Sequence, residues 1–83
     1  MKEGSELMTP QEAAAKFSVG DKFLHYKGGI YTFLYIGRHS ETEAWFVIYK
    51  NAGGDVWIRP FAMFFERVER NGTAVPRFSP LEE

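Results

Sequence analysis

The chain has 83 residues and a formal net charge of −1, which gives no global attraction to a phosphate backbone and speaks against a dedicated duplex-DNA binder. Hydrophobic residues at 45% and aromatic residues at 17% exclude a chain disordered by composition, and the lack of cysteine excludes disulfides, thiolate metal sites and a thiol nucleophile. A chain this short buries only somewhat over ~60% of the surface that its unfolded form exposes, so a single domain held by packing alone is expected.

Residues 1–8 are polar and aperiodic and read as a frayed terminus. "MKEGSELMTP" lacks the apolar centre of a secretory signal, and no apolar run approaches the roughly 18 residues of a membrane span, so the expected localisation is cytoplasmic with no membrane partner. "TPQEAAAKF" then sets Thr9 as N-cap, Pro10 at the first helical position and Glu12 three residues after the cap, which predicts a short helix over 9–17. Three alanines favour the helix but give little to bury, so Phe17 is its one substantial anchor.

Residues 18–83 read as a single small β domain. Val, Ile, Phe, Tyr and Trp crowd residues 22–59, with strands expected at "KFLHYK", "IYTFLYIG", "EAWFVIYKN" and "VWIR", separated by Gly28-Gly29, by "RHSETE" and by "AGGD". Pro60 ends the fourth strand, and the spacing of Phe61, Phe64 and Phe65 suits a single helical or 3₁₀ turn, with Phe61, Met63, Phe64 and Phe65 as core or interface filling. Asn71-Gly72 between "FERVER" and "TAVPRF" is a hairpin signal, and Pro76 confines the last strand to an edge.

Alternation puts Ile30, Thr32, Leu34 and Ile36 on one side of the second strand and Tyr31, Phe33 and Tyr35 on the other. In the third strand it sets Phe46 and Ile48 against Trp45, Val47 and Tyr49. Both sides are apolar. The central strands are therefore expected to be covered on both faces or wrapped up, as a small SH3-like barrel or a strongly curved antiparallel sheet of five to six strands with one short N-terminal helix.

The pieces "HYKGGIY" at 25–31, "RHSETE" at 38–43, "VIYK" at 47–50, "WIRPFAMF" at 57–64 and "PRF" at 76–78 occur in one order and cover nearly everything after Ser18. In them the chain resembles domain-of-unknown-function family sixteen fifty-three, found in bacteria and phages. The resemblance implies a stand-alone small β domain and brings no activity with it. The helix lies outside the matching part.

Six basic or imidazole groups, His25, Lys27, Arg38, His39, Arg59 and Arg77, would form a cationic pocket if the fold gathers them, with Tyr26, Tyr31, Tyr49 and Trp57 as a stacking wall. The plainer reading makes Lys27 and Arg77 solvated, pairs Arg59 with a glutamate such as Glu66, and satisfies His25 on the backbone. His39, Ser40 and Glu41 hold the groups of a triad, but neighbours on a turn point apart, so a structural turn with Ser40 or Thr42 bonding backbone amides is expected. His25, His39, Glu41 and Glu43 lack any fixed metal-ligand spacing. Nothing in the sequence brings two of Glu41, Glu43, Glu66 and Glu69 together as an acid and base pair. Neither Gly-Gly pair precedes a helix in phosphate-loop spacing, which excludes a P-loop enzyme.

The function expected is a non-catalytic binding module. Its ligand-binding set is His25, Tyr26, Lys27, Tyr31, Arg38, His39, Tyr49, Trp57 and Arg59, with no catalytic residue, metal or cofactor. The partner would be a small anionic or aromatic ligand, such as a nucleotide, or single-stranded nucleic acid. Two other classes stand beside it: a protein-interaction or homo-oligomeric module built on the exposed rings, and a small enzyme using His25 or His39 as general base.

Overall fold

In the computed structural model, which describes residues 8–81, Thr9 caps the first helix as its spacing requires. The Thr9 side chain accepts from the Glu12 N–H at 3.1 Å and the Glu12 carboxylate accepts from the Thr9 N–H at 2.8 Å, so helix α1, Pro10–Lys16, begins with a closed capping box. The helix docks through Phe17 at its end, 4.9 Å from the Phe23 ring, and also through Ala13, which is fully buried. The expected fraying of residues 1–8 falls almost entirely outside the described residues.

Seven strands follow among these residues: β1 Lys22–His25, β2 Ile30–Arg38, β3 Trp45–Lys50, β4 Val56–Pro60, β5 Arg67–Arg70, β6 Thr73–Pro76 and β7 Phe78–Pro80. A single helical turn, α2 Phe61–Phe64, joins β4 to β5. Five strands form one antiparallel sheet in the order β4-β3-β2-β1-β7, while β5 and β6 form a separate hairpin. The protein is thus mainly β, a curved sheet carrying one short N-terminal helix. It is not a closed barrel, since β4 and β7 are the two outer strands and do not pair with each other.

The hairpin turn is the one expected, with positive φ at both Asn71 (54°) and Gly72 (80°). The segment after it divides in two, however. Arg77 donates its backbone N–H to the Glu66 carbonyl, while its own carbonyl accepts from the Tyr26 N–H. The chain therefore changes partners at Arg77, leaving β6 on β5 and β7 on the edge beside β1.

The face assignment needs one correction, and a bulge explains it. Phe33 pairs with Tyr49 but Tyr35 pairs with Ile48, so Leu34 is an extra residue and the alternation of β2 slips at that point. Tyr31 and Phe33 lie on the core side before the bulge and Ile36 lies on it afterwards, whereas Tyr35 faces outward. The sheet is also covered on one face only: Ile30, Tyr35, Val56 and Ile58 on the other remain exposed.

The covered face holds an aromatic core. Phe64 stacks on Phe78 at 4.1 Å with the planes nearly parallel, and it meets Phe23 at 5.4 Å and Tyr49 at 5.2 Å. Phe61 and Phe64 are buried and Phe65 packs beside Phe17, but Met63 is 43% exposed and does not fill the core. Short α2 therefore works as an anchor that pulls the start of β5 across the concave face.

Candidate functional site

Two hairpins of one design build one end of the concave face. Tyr26, Lys27 and Gly28 loop between His25 and Gly29, with Gly28 at φ 113°, and Ala52, Gly53 and Gly54 loop between Asn51 and Asp55, with Gly54 at φ 93°. Each has the three-residue form in which the last loop residue takes a left-handed conformation, so glycine is required there. The turns bring His25, Tyr31, Asn51 and Trp57 to a common rim.

Within that rim Phe78 is the floor. The rings of His25, Tyr31 and Tyr49 stand edge-on to it at 4.9, 5.5 and 5.5 Å, and the Arg59 guanidinium lies 5.7 Å above it. Arg59 Nε donates to Tyr49 Oη at 3.2 Å, which fixes the fork's direction. A shallow cavity of about 230 Å³ opens beside it, lined by Tyr31, Tyr49, Asn51, Trp57 and Arg59. Among the described residues the ion pairs are Arg38–Glu43 and Arg77–Glu66, with Glu41 3.8 Å from the His39 ring, so Arg59 has none. Arg77, not Arg59, takes Glu66.

The surroundings of His25 favour its neutral form. Burial lowers its pKa first, and the positive charges of Arg59, Arg77 and Lys27 lower it further. Its Nδ1 accepts from the Lys27 N–H at 3.1 Å, which puts the proton of the neutral ring on Nε2. His39 does the same in its own turn, where Nδ1 accepts from Glu41 and Thr42 N–H at 3.1 and 3.2 Å. In this tautomer neither ring presents a free lone pair, so a general-base role has to break a turn contact first.

Tyr26 and Lys27 sit at the same end, but Tyr26 lines a neighbouring hollow together with His25 and Arg70. Lys27 and Arg70 flank the Tyr26 ring at 5.8 and 6.0 Å, and Arg70 Nη1 donates to the Tyr26 carbonyl oxygen. Arg38 and His39 are elsewhere. They follow Tyr31 by seven and eight residues along β2, roughly 20 Å or more at strand rise. There Arg38 stacks on Trp45 at 4.9 Å and bonds the Glu43 carboxylate at 3.0 Å, and His39 faces Glu41. The turn itself matches expectation, with Thr42 Oγ1 accepting from the Ala44 N–H at 3.2 Å. Because the two histidines lie at opposite ends, His25, His39, Glu41 and Glu43 do not converge.

The family model described as protein of unknown function (DUF1653) matches residues 21–80, most of the chain and all seven strands. The chain belongs to this family. No curated protein and no solved structure matches it. Helix α1 lies outside the matched stretch, as the resemblance in sequence implied, so the DUF1653 region contains the whole sheet and both site hairpins but not the helix. Among the described residues no helix of this DUF1653 protein is long and apolar enough to cross a membrane.

Three contributors to this end lie outside the sequence-derived set. Phe78 supplies the floor, and its signal was its place in "PRF". Asn51 supplies a rim amide whose Oδ1 accepts from the Asp55 N–H at 2.9 Å, and its signal was its place just before "AGGD". Arg70 reaches Tyr26 across 44 residues of chain, a contact without any local sequence signal.

Proposed function

We propose that this DUF1653 protein is a non-catalytic binding module whose Arg59 cavity takes a planar, anionic, acceptor-rich small ligand of the nucleotide type. The observation that carries this reading is the polar chemistry of the lining. The Arg59 Nη groups, the Trp57 indole N–H, the Asn51 amide NH₂ and the Tyr31 hydroxyl can all donate, and among the described residues no carboxylate lines the cavity. A donor-rich wall favours ligands bearing phosphate, carboxylate or ring carbonyl oxygens, and the guanidinium fork suits them in pairs. Trp57 and Tyr31 offer flat faces for a ring.

The cavity is smaller than the ~300–1,000 Å³ of sites that enclose a drug-sized ligand, so it suits one ring or one anionic head with the rest of the ligand in water. The arrangement favours recognition over catalysis because both histidines are tied into turns through Nδ1.

Thermal melting against nucleoside monophosphates, free bases and short oligonucleotides tests this. A ligand present at about 100 times its Kd stabilises by about 2.7 kcal/mol, which for a domain of this size is a rise of about 10 °C or more. The rise is expected for at least one anionic ring compound and is lost in Trp57→Ala and Arg59→Gln. Flat melting temperatures across the panel would refute the reading, and a rise that survives both substitutions would move the site elsewhere.

A further inference from the structure

The two outer strands of the main sheet present very different edges. β7 has three residues, ends at Pro80 and follows Pro76 closely, so it offers little to pair with. β4 has five, and its Val56, Trp57 and Ile58 are 61, 50 and 63% exposed, with no lysine and no proline before Pro60. The phase of its hydrogen bonds follows from the turn. Asn51 N–H donates to the Asp55 carbonyl at 3.0 Å, and antiparallel pairs alternate between bonded and non-bonded. Trp57 and Arg59 therefore bond across to Tyr49 and Val47, whereas Val56 and Ile58 turn their N–H and C=O groups away from β3.

We infer that this edge pairs with a second copy of the chain, antiparallel about a two-fold axis at Trp57. In that register Val56 lies opposite the partner's Ile58 and exchanges both bonds with it. Symmetry repeats the exchange, so four hydrogen bonds satisfy the outward groups of both strands. Pro60, which has no N–H, falls beyond the ladder opposite the partner's Gly54. Centring the axis on Ile58 instead also allows four bonds, but it sets Val56 against the partner's Pro60 and leaves both Val56 carbonyls without a donor.

The side chains agree with the same register. Asp55, which has no ion pair among the described residues, lies opposite the partner's Arg59, so unlike charges face each other on the concave side. An exposed pair of this kind sets register more than affinity. Trp57 meets the partner's Trp57 at a non-bonded position, where opposed side chains approach most closely. On the outer face Val56 packs on the partner's Ile58. The partner's Trp57 then stands beside the Arg59 cavity, which makes the rim a product of two chains. An anion in the cavity would share the Arg59 guanidinium with the partner's Asp55, so the pairing is tested on the ligand-free chain.

Sedimentation of the full chain from micromolar to millimolar concentration is expected to move from monomer to dimer. Asp55→Lys sets four cations across the two-fold and is expected to weaken the dimer about tenfold or more, without loss of fold, since the Asp55 side chain is exposed. The absence of native cysteine permits a register test. Trp57→Cys brings two thiols to the axis and should form a covalent dimer on mild oxidation, while Ile58→Cys should cross-link far less. A wild-type chain that stays monomeric at millimolar concentration, a dimer indifferent to Asp55→Lys, or cross-linking through Ile58→Cys that equals that of Trp57→Cys would each overturn the inference.

Discussion

The two ends of the curved sheet are built from the same parts and do different chemistry. Each has a histidine whose Nδ1 closes a turn, and each has an arginine lying on an aromatic ring, Arg38 on Trp45 and Arg59 on Phe78. At the Arg38 end Glu43 sits in the turn itself and pairs with Arg38, and the Glu41 carboxylate lies 3.8 Å from the His39 ring. At the Arg59 end the turns are "YKG" and "AGG", which carry no carboxylate, and the Arg77 guanidinium takes Glu66. Residue type therefore does not separate the two ends; the placement of the nearest carboxylate does.

The largest expected contrast is in the rings beneath the arginines. Phe78 is buried against Phe64, Tyr49 and His25, so Phe78→Ala is expected to cost about 3–5 kcal/mol in urea unfolding, enough to unfold much of a small domain. Trp45 is half-buried, and Trp45→Ala should cost about 1–2 kcal/mol. Equal losses would show that both ends share one core.

Charge removal should separate the ends next. Arg59→Gln removes charge-assisted bonds worth about 1.5–3 kcal/mol, so calorimetry should show a loss of roughly 10–100-fold in affinity for any anionic ligand found by melting. Arg38→Gln should leave that affinity unchanged. The reverse result would transfer the site to the other end.

A third substitution sharpens the comparison by making one end more basic. Glu66→Gln frees Arg77, whose pair with Glu66 is partly exposed, and should cost about 1 kcal/mol of stability after allowance for solvent screening. Anion affinity should rise severalfold. If it falls, Glu66 is needed to hold Arg77 and the Phe78 floor in place.

The smallest effect lies in pH. Because the folded state lowers the His25 pKa below the ordinary 6.5, the unfolded chain binds its proton more readily. That part of the stability is present above about pH 6.5 and is lost as pH falls through the lower folded value. His25→Asn keeps an acceptor for the Lys27 N–H and removes the titration, so the decline in melting temperature from pH 7 to pH 5 should become shallower. An identical decline would assign it to other groups.

Much of the fold was legible in the sequence because it is local. A capping box needs four residues, an Asn-Gly turn two, and a proline that stops a strand one; each acts over a single turn of chain. The Leu34 bulge was not legible, since both sides of β2 are apolar and a slip by one residue leaves no mark in the pattern. Of the expected ligand set, His25, Tyr31, Tyr49 and Arg59 meet around Phe78 with Trp57 on the cavity beside them, Tyr26 lines the adjoining hollow with Lys27 over its ring, and Arg38 and His39 lie at the far end.

By itself the sequence determined the order of the capped helix, the first four strands and the turns between them, because those follow from propensities and hydrogen bonds between near neighbours. Tertiary structure alone decided which face of the sheet is covered and that, among the described residues, Arg77 pairs with Glu66 while Arg59 has no ion pair. Those outcomes depend on contacts such as Arg77 with Glu66 and Arg70 with Tyr26, made between residues far apart in the chain, and a linear pattern carries no distance between them.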